Sequence, residues 1–340
     1  MRYLKTSPLI LIMVFSVVFI SNQLISQTNT GTTIGQFLLI EPSARLAGMG
    51  NTGVALFDEV SAIYFNPASA GMLFNSGVVF SHAFWLAGIS YEYSAVAIKI
   101  KNIGTFFGSF TYLNSGEIDV RTVEKPLGTG EKYTVTNLAM GLGYGIKITD
   151  RFSTGFQLNY IQETIWHSSL WAIALNAGIM YQLANNLYLG ASISNFGTRG
   201  RYSGWDLRIR YDVDPRKYGD NSSLPAELFT EKFPLPVLFR VGLGYQFNLS
   251  SNIISKLNIE AYHPSDNTES LSFGGEIKFF DVFSIRAGYQ KLYQKDSEVG
   301  LTAGIGIQYP VSKYTFKLDY GWADHGRLGA TQRFSVAFEF

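Results

Sequence analysis

The feature that most constrains this chain is an alternation of apolar and polar residues that repeats from about residue 75 to the C-terminus. In one segment Phe239, Val241 and Leu243 share one face, and Arg240 and Gly242 share the other. Because successive side chains of a strand point to opposite faces, this pattern predicts β-strands. We count about fourteen, which start near residues 75, 86, 103, 133, 151, 171, 187, 235, 255, 270, 282, 298, 312 and 331.

The connections between these strands differ in length at the two ends. Very short turns follow even-numbered strands, for example at residues 101–102 and 280–281, and the long segments 114–132 and 196–234 follow odd-numbered strands. An even number of strands with this asymmetry is typical of bacterial outer-membrane barrels. A closed barrel also leaves no backbone group unpaired in lipid. The sequence therefore predicts an all-β fold, a transmembrane antiparallel β-barrel of about fourteen strands over residues 74–340.

A soluble β-sandwich also has alternating strands, so composition decides between the two folds. Only 16% of the residues are charged, 15% are aromatic and 34 are glycine, which departs from an ordinary soluble domain. One face of every strand is nearly free of charge, whereas the other carries Gly, Ser, Asn, Gln and scattered charges. A soluble sandwich needs a polar outer face. The charge-free face therefore favours contact with outer-membrane lipid.

Tyr and Trp residues recur near the predicted strand ends, as the aromatic girdles of membrane barrels require. They are Tyr91, Tyr93, Tyr112, Tyr144, Tyr160, Trp171, Tyr181, Tyr245, Tyr289, Tyr309 and Trp322. The chain ends in Phe340 after an alternating strand, which resembles the assembly signal of outer-membrane barrels.

The N-terminus has the pattern of an exported protein. Arg2 and Lys5 precede an apolar run from Leu9 to Ile20, and polar and small residues follow. This order predicts a signal peptide over residues 1–26, because the apolar run is shorter than the roughly 20 residues of a spanning helix. An N-terminal membrane anchor is the alternative. Export and a lipid-facing barrel together predict location in the cell outer membrane.

Residues 27–73 do not alternate and are rich in small residues. A barrel of about fourteen strands is too wide to be filled by its own side chains, so we predict that this segment is a hatch inside the lumen. We expect a short helix with Asp58 as its N-cap, ending before Pro67. Inward glycines such as Gly145 and Gly242 would let the hatch approach the wall. A periplasmic arm is the alternative.

The stretch GQFLLIEPSARLAGMGNTGVALFDEVSAIYFNPASAGML, residues 35–73, resembles the N-terminal signature of the PorV/PorQ family of outer-membrane proteins. Within it, Asn66, Pro67 and Ala68 resemble the NPA motif of the wider FadL-like group, whose N-terminal segment forms a hatch in a fourteen-stranded barrel. The resemblance implies that these three residues are a hatch motif. It also implies a role in type IX secretion, in which the protein binds C-terminal domains of secreted cargo and passes them to a surface attachment complex. PorV-like and PorQ-like branches both stay open.

The sequence gives little support for catalysis, metal binding or nucleic-acid binding. The four histidines are far apart, the chain has no cysteine, and the spacing of zinc motifs is absent. Asp212, Asp214 and Asp220 lie in the longest loop without the spacing of an EF-hand. A net charge of +1 does not favour nucleic acid. We predict no enzyme activity, no cofactor and no metal site.

Charges of both signs fall on the predicted inner face of the barrel. They are Lys147, Arg240, Glu260, Glu276, Lys278, Arg286, Lys317, Asp319 and Glu339. One interpretation is ion pairing that braces the barrel and the hatch, and the other is a polar path for solute. We favour ion pairing.

The loop 196–234 combines aromatic residues with Arg and Asp, a composition typical of binding surfaces. The candidate partner-binding residues are Tyr202, Trp205, Tyr211, Tyr218, Phe229 and Phe233. A lid folded over the barrel mouth is an interpretation compatible with this one.

The sequence thus predicts a non-enzymatic outer-membrane barrel that acts in type IX protein secretion. Its predicted partners are outer-membrane lipid, the C-terminal domains of cargo proteins and other secretion or attachment components. The alternative from the NPA motif is a FadL-like transporter of hydrophobic small molecules. A structural scaffold for a surface complex is a third hypothesis.

Overall fold

The computed structural model describes residues 30–214, 216–219, 221, 223–294 and 297–340. The predicted signal peptide therefore lies outside the described residues. Fourteen long strands in the described chain form the barrel wall, and we number them in chain order. They are β1 Gly77–Phe84, β2 Ser90–Ile100, β3 Gly104–Asn114, β4 Val135–Thr149, β5 Phe152–Ile165, β6 Ser168–Ala184, β7 Leu187–Gly197, β8 Leu238–Ser250, β9 Ile253–Pro264, β10 Ser270–Phe279, β11 Phe283–Leu292, β12 Leu301–Val311, β13 Tyr314–Asp324 and β14 Ala330–Glu339.

Each strand pairs antiparallel with its neighbours in sequence. The first and last strands close the barrel through eight residue pairs, from Gly77 opposite Glu339 to Phe84 opposite Gln332. The long loop between β7 and β8 does not interrupt the wall, because these strands pair directly from Leu238 opposite Ser194 onward. The predicted antiparallel barrel of about fourteen strands is confirmed.

The predicted asymmetry of the connections is present, with one exception. Turns of two or three residues join β2 to β3, β4 to β5 and the later even-numbered strands to their successors. Asn102 and Asn186 occupy such turns at φ 64° and 63°, a region that Asn adopts more readily than most residues. The long connections lie at the other end, except that only Trp166 and His167 join β5 to β6.

The two faces of the wall separate as the alternation predicts. On β5, Phe156 and Leu158 are exposed on the outside, whereas Ser153 and Gln157 are buried towards the lumen. Two of the aromatic residues that we assigned to the girdle do not face lipid. Trp171 is exposed on the outer face, but Tyr91 and Tyr93 are buried in the lumen. The Tyr91 hydroxyl donates to the Ile40 carbonyl, 2.8 Å away, so it binds the N-terminal segment and does not face lipid.

The N-terminal segment crosses the lumen from the long-loop end to the short-turn end. Ile34 donates its N–H to the carbonyl of Pro234 in the long loop, and at the other end Phe340 donates to the carbonyl of Ser76. Four short helices form along the segment. They are the 3₁₀ helices Gln36–Leu39 and Val60–Tyr64 and the α-helices Ala44–Ala47 and Ser69–Met72. No described helix has the length and apolar character needed to cross a bilayer.

A short helix lies near Asp58 and ends before Pro67 as expected, but the predicted N-cap at Asp58 was wrong. The helix is a 3₁₀ turn whose N-cap is Glu59, and no side chain caps it. Asp58 accepts instead from Arg45, with Nη1 to Oδ1 at 3.1 Å, and from Lys256 on β9. A carboxylate inside a barrel gains more from two buried cations than from one backbone N–H, which explains why the capping pattern failed here.

Candidate functional site

The NPA sequence binds the inner face of β4, β5 and β6. Asn66 is fully buried, and its Nδ2 donates to the carbonyls of Val54 at 2.8 Å and Ile179 at 3.0 Å. Its Oδ1 accepts from the N–H of Ala68 at 3.0 Å. The Ala68 carbonyl in turn accepts from Ser153 Oγ on β5 at 2.7 Å. One amide side chain therefore joins two parts of the hatch to the wall.

Glycines on the wall leave room for this contact. A methyl group at Gly178 would overlap Asn66 Oδ1, and one at Gly155 would overlap the carbonyl of Pro67. A methyl group at Gly145, which the sequence predicts for this role, would lie 2.8 Å from atoms of Ala70 and Gly71. Other glycines, such as Gly141, face wall side chains instead. Close approach of hatch backbone to wall backbone thus depends on the absence of a Cβ at particular strand positions.

Near the short-turn end, buried charges tie the hatch to β9–β13. Arg45 on the hatch binds Glu276 on β10, with Nη2 2.7 Å from Oε1, and also Asp58 and Glu59. Glu276 also binds Arg286 at 2.6 Å, and Arg286 binds Asp319 at 2.6 Å. Lys317 pairs with Glu339. Lys147, by contrast, is exposed at the end of its strand.

A second charge group lies nearer the long-loop end. Arg240 on β8 is 2% exposed. It binds Glu260 of β9 at 2.8 Å and Glu41 of the hatch at 3.0 Å. The rings of Phe65 and Tyr262 lie 5.0 Å and 4.9 Å from its guanidinium carbon, in the range of cation–π contact.

Apart from Lys147 and Lys278, which form no ion pair with a described residue, the predicted inner charges pair with one another or with the hatch. This agrees with the bracing interpretation.

Sequence reasoning missed the hatch's own contribution to these groups. Glu41, Arg45 and Glu59 were not singled out, although they are charged residues in a segment otherwise rich in small and apolar residues. That contrast was the available signal. Buried charges need partners, so charges in a lumen segment point to complementary charges on the wall.

Around the two charge groups, the hatch and the wall enclose only small cavities. A cavity of about 30 Å³ borders Tyr64, Gln157 and Arg240, and one of about 20 Å³ borders Arg45 and Glu276. Such volumes hold a water molecule or two. Polar and charged side chains form most of the border of both cavities.

The base of the long loop between β7 and β8 is bonded to the barrel wall. The Tyr202 hydroxyl donates to Glu163 Oε2 at 3.0 Å, and Glu163 Oε1 accepts the N–H of Gly35 at 2.8 Å. Burial raises the pKa of the Tyr202 hydroxyl, and the Glu163 carboxylate adds to the rise.

Gly200 and Phe233 exchange two backbone hydrogen bonds at 2.9 and 3.0 Å and so join the two ends of the loop. The Pro234 carbonyl accepts the N–H of Ile34 in the hatch at 3.0 Å. The loop base thus contacts both the wall and the hatch.

The other predicted aromatic residues of the loop face outward. Exposed fractions are 71% for Trp205, 51% for Tyr211, 104% for Tyr218, 82% for Phe229 and 43% for Phe233. Tyr202 differs from them, because it is half-buried and bonds to Glu163.

Arginines accompany two of the exposed rings. The Arg208 guanidinium lies 4.4 Å from the Trp205 ring, and that of Arg201 lies 5.8 Å from the Phe229 ring. These pairs form an amphipathic outer surface. Such surfaces are enriched at protein interfaces.

A cleft of about 690 Å³ indents the outer face of the wall between β1 and β6. Phe80, Phe110 and Leu142 line it, and the small residues Ser109 and Asn159 form part of its border. Ser109 and Asn159 also border the small polar cavity inside the lumen. Ser109 and Asn159 therefore border both the outer cleft and the inner cavity.

A second cavity, of about 240 Å³, opens at the long-loop end among Trp85, Tyr262, His325 and Arg333. Burial together with the nearby Arg333 and Lys291 lowers the pKa of His325 to about 4. In the described residues, no group of three or more acidic or histidine side chains has the arrangement of a metal site.

These observations define a class of protein, an outer-membrane β-barrel with an N-terminal hatch in its lumen. The family model described as type IX secretion system protein PorV matches residues 23–261, more than half of the chain. The chain belongs to this family, and it is therefore an outer-membrane barrel of the type IX secretion system. No curated protein sequence matches it.

Solved structures agree on the fold. The chain is similar to the toluene transporter TodX of Pseudomonas putida at 12% identity and a TM-score of 0.57, over 88% of this chain and 97% of that chain. It is also similar to a Pseudomonas aeruginosa FadL homologue at 10% identity and a TM-score of 0.55, over 88% and 98%. At these identities the likeness concerns the fold alone. The predicted membership of the PorV family is thus confirmed, and the fold resembles that of FadL-like barrels.

Proposed function

We propose that this protein holds the C-terminal domains of secreted proteins at the outer surface and passes them to a surface attachment complex, without catalysing a reaction. The observation that carries the proposal is the outward aromatic surface of loop 198–237 on a barrel of the PorV family. Because its base is bonded to Glu163 of the wall and to Ile34 of the hatch, the loop is held in place before a partner binds. Such pre-organisation reduces the entropy lost on binding.

The paired charges and small cavities of the lumen support a hatch that stays closed during this work. In this proposal residues 27–73 are the hatch, and Asn66, Pro67 and Ala68 are its wall contact. The cargo domain then stays outside the barrel, and the barrel acts as an anchored receptor.

The test uses a reporter protein fused to the C-terminal domain of a type IX cargo from the same organism, with the unfused reporter as control. Wild-type protein, purified from outer membranes, should retain the fused reporter only. Deletion of residues 200–230 should abolish retention. Full retention by this variant refutes the assignment.

A finer variant replaces Trp205, Tyr218 and Phe229 by serine and leaves the loop length unchanged. We expect it to weaken reporter binding at least about tenfold, since exposed aromatic anchors dominate many interfaces. The matched control replaces Val123 and Leu127, which are exposed at 101% and 94% in the other long loop. In this proposal residues 114–132 contribute less to cargo binding, so we expect this variant to weaken reporter binding less than the triple serine variant does.

The second candidate is transport of hydrophobic small molecules through the wall. It is favoured by the apolar outer cleft, which meets the lumen cavity at Ser109 and Asn159. In this mechanism the hatch shifts away from the NPA contact and opens a lateral path. The mouth cavity beside Arg333 would be the entrance.

Asn66→Ala tests this candidate. The substitution removes the hydrogen bonds to Val54, Ile179 and Ala68, and loss of fatty-acid or toluene uptake with normal cargo retention would favour transport. If Asn66→Ala loses cargo retention and the wild-type protein takes up neither fatty acid nor toluene, the secretion role is favoured.

A further inference from the structure

The outer loop contains a two-stranded sheet that stands apart from the barrel. Residues Arg208–Tyr211 pair antiparallel with Leu224–Glu227. No other strand of the described chain pairs with either of them. All four residues of the first strand are exposed. Both edges of this hairpin therefore lack a neighbouring strand among the described residues.

The hydrogen-bond pattern shows which backbone groups point outward. Leu228 donates its N–H to the Leu207 carbonyl at 2.8 Å, so the next pair, Arg208 opposite Glu227, is a non-hydrogen-bonded pair. Alternation then makes Arg210 opposite Pro225 a second such pair. In these pairs the N–H and C=O groups point away from the partner strand.

The two edges offer similar backbone groups. On the first strand, Arg210 presents both N–H and C=O, and Arg208 presents only its C=O, because its N–H bonds to Trp205. No described backbone or side-chain group outside the hairpin bonds to the main chain of Arg210. On the second strand, Pro225 presents only its C=O, and Glu227 presents both groups. Backbone groups alone therefore do not distinguish the edges, and the side chains decide which edge a given partner joins.

Side chains add a preference to this edge. Arg208 and Arg210 lie on one face of the strand, and Ile209 and Tyr211 lie on the other, since side chains alternate. Neither arginine makes an ion pair with a described residue. On a partner strand, a negatively charged residue opposite Arg210 would be attracted to it. The two residues on either side of that partner residue would face the apolar side chains of Ile209 and Tyr211.

We propose that the open edge of residues 208–211 is a strand-addition site. An extended segment of the cargo C-terminal domain pairs with it, placing an acidic residue opposite Arg210 between two apolar residues. This inference rests on the proposed function, and it adds the binding mode and the chemistry of the partner segment. In strand addition, backbone hydrogen bonds provide affinity and alternate side chains provide specificity.

The experiment uses the whole protein in detergent micelles and a fluorescent, end-blocked octapeptide of alternating Val and Glu as probe. Anisotropy titration should give binding at least about tenfold tighter than for the matched Val-Lys peptide, since a tenfold change equals about 1.4 kcal/mol. Equal binding of both peptides, or binding of neither, overturns the proposal.

Two substitutions at one position separate backbone from side chain. Arg210→Ala removes the charge but keeps the outward N–H, whereas Arg210→Pro removes both and leaves the hairpin's own ladder intact, because that N–H points away from it. We expect Arg210→Pro to bind the Val-Glu peptide at least about fivefold more weakly than Arg210→Ala. Proline removes the outward backbone N–H and therefore the hydrogen bond that this N–H makes with the peptide. Equal affinities contradict strand addition.

Pro225→Ala is the matched control. It adds an N–H to the opposite edge, where Glu227 disfavours the Glu residues of the probe, so peptide affinity should stay unchanged. Hydrogen exchange over residues 208–227 reports whether each variant keeps the hairpin. A loss of affinity without loss of hairpin protection supports the proposal.

The cargo reporter distinguishes failure of this inference from failure of the proposed function. If deletion of residues 200–230 releases the reporter while Arg210→Pro retains it fully, the loop binds cargo by another mode and strand addition is wrong. If both variants retain the reporter, the proposed function fails as well.

Discussion

Single buried charges decide how the hatch is held. Arg240 bonds to one carboxylate of the wall and one of the hatch, and all three side chains are nearly inaccessible to solvent. In such a group the attraction mainly offsets the desolvation of the charges, so removing one partner costs more than the pair contributes. A residue of this kind specifies where the hatch sits more than it adds net stability.

Arg240→Met should therefore lower the free energy of unfolding by about 3–5 kcal/mol, because Glu41 and Glu260 lose their buried partner. Urea unfolding in detergent micelles, followed by tryptophan fluorescence, measures the change. Adding Glu260→Gln should restore part of the loss, since the two sites are coupled.

The matched control for Arg240→Met is Lys132→Met, which breaks the exposed pair with Glu117 in loop 115–134. An exposed pair is screened by water, so we expect an unchanged unfolding midpoint. Identical midpoints for Arg240→Met and Lys132→Met would contradict the structural role of the lumen charges.

At the scale of elements, the hatch and the wall fit each other at positions where the wall has no side chain. The NPA segment lies against β5 and β6 at Gly155 and Gly178, where backbone meets backbone. The short helices of the hatch are stabilised by these contacts, since segments of four or five residues do not hold a helical conformation alone.

Gly178→Ala should displace the hatch, because the new methyl group would overlap Asn66 Oδ1. We expect the free energy of local unfolding of the hatch to fall by about 1–3 kcal/mol, the usual cost of overpacking. Hydrogen exchange of residues 54–68 is the measurement, with faster exchange in the variant.

Gly108→Ala offers the matched control for the glycine test. It lies on the outer face of β3, where no atom comes closer to the new methyl group than 3.6 Å. Its exchange pattern should equal that of the wild type. Faster exchange in both variants would show that general strand distortion, and not hatch contact, is responsible.

At the scale of the whole molecule, the barrel depends on lipid to cover its outer face. Leu142 lies midway along β4 and is 76% exposed, whereas Leu127 lies in loop 115–134 and is 94% exposed. The exposed fraction does not distinguish the two positions. They differ in their surroundings, because the middle of a strand faces lipid and the loop faces water.

Leu142→Arg should lower stability in lipid vesicles by about 2–4 kcal/mol, because a charge at the bilayer midplane is costly on the lipid face of a barrel. Leu127→Arg should have no measurable effect. Folding efficiency into vesicles, read from the gel shift of the folded barrel, measures both. Equal tolerance of the two arginines would argue against membrane insertion.

The sequence by itself determined the wall of this protein. Alternation of side chains is a local property of extended backbone, so the strands, their approximate starts and their lipid-facing sides could be read from residues such as Phe156 and Gln157. The outward position of Trp205 and Phe229 also followed from their place in a long polar loop.

Only the tertiary structure decided which distant residues meet. It paired Asp58 with Arg45 and Lys256 where local sequence suggested a helix cap, turned Tyr91 and Tyr93 into the lumen, and left an open hairpin edge at Arg210. The physical reason is that these contacts join segments far apart in the chain. Their energies depend on burial and closure of the whole barrel, which local periodicity does not contain.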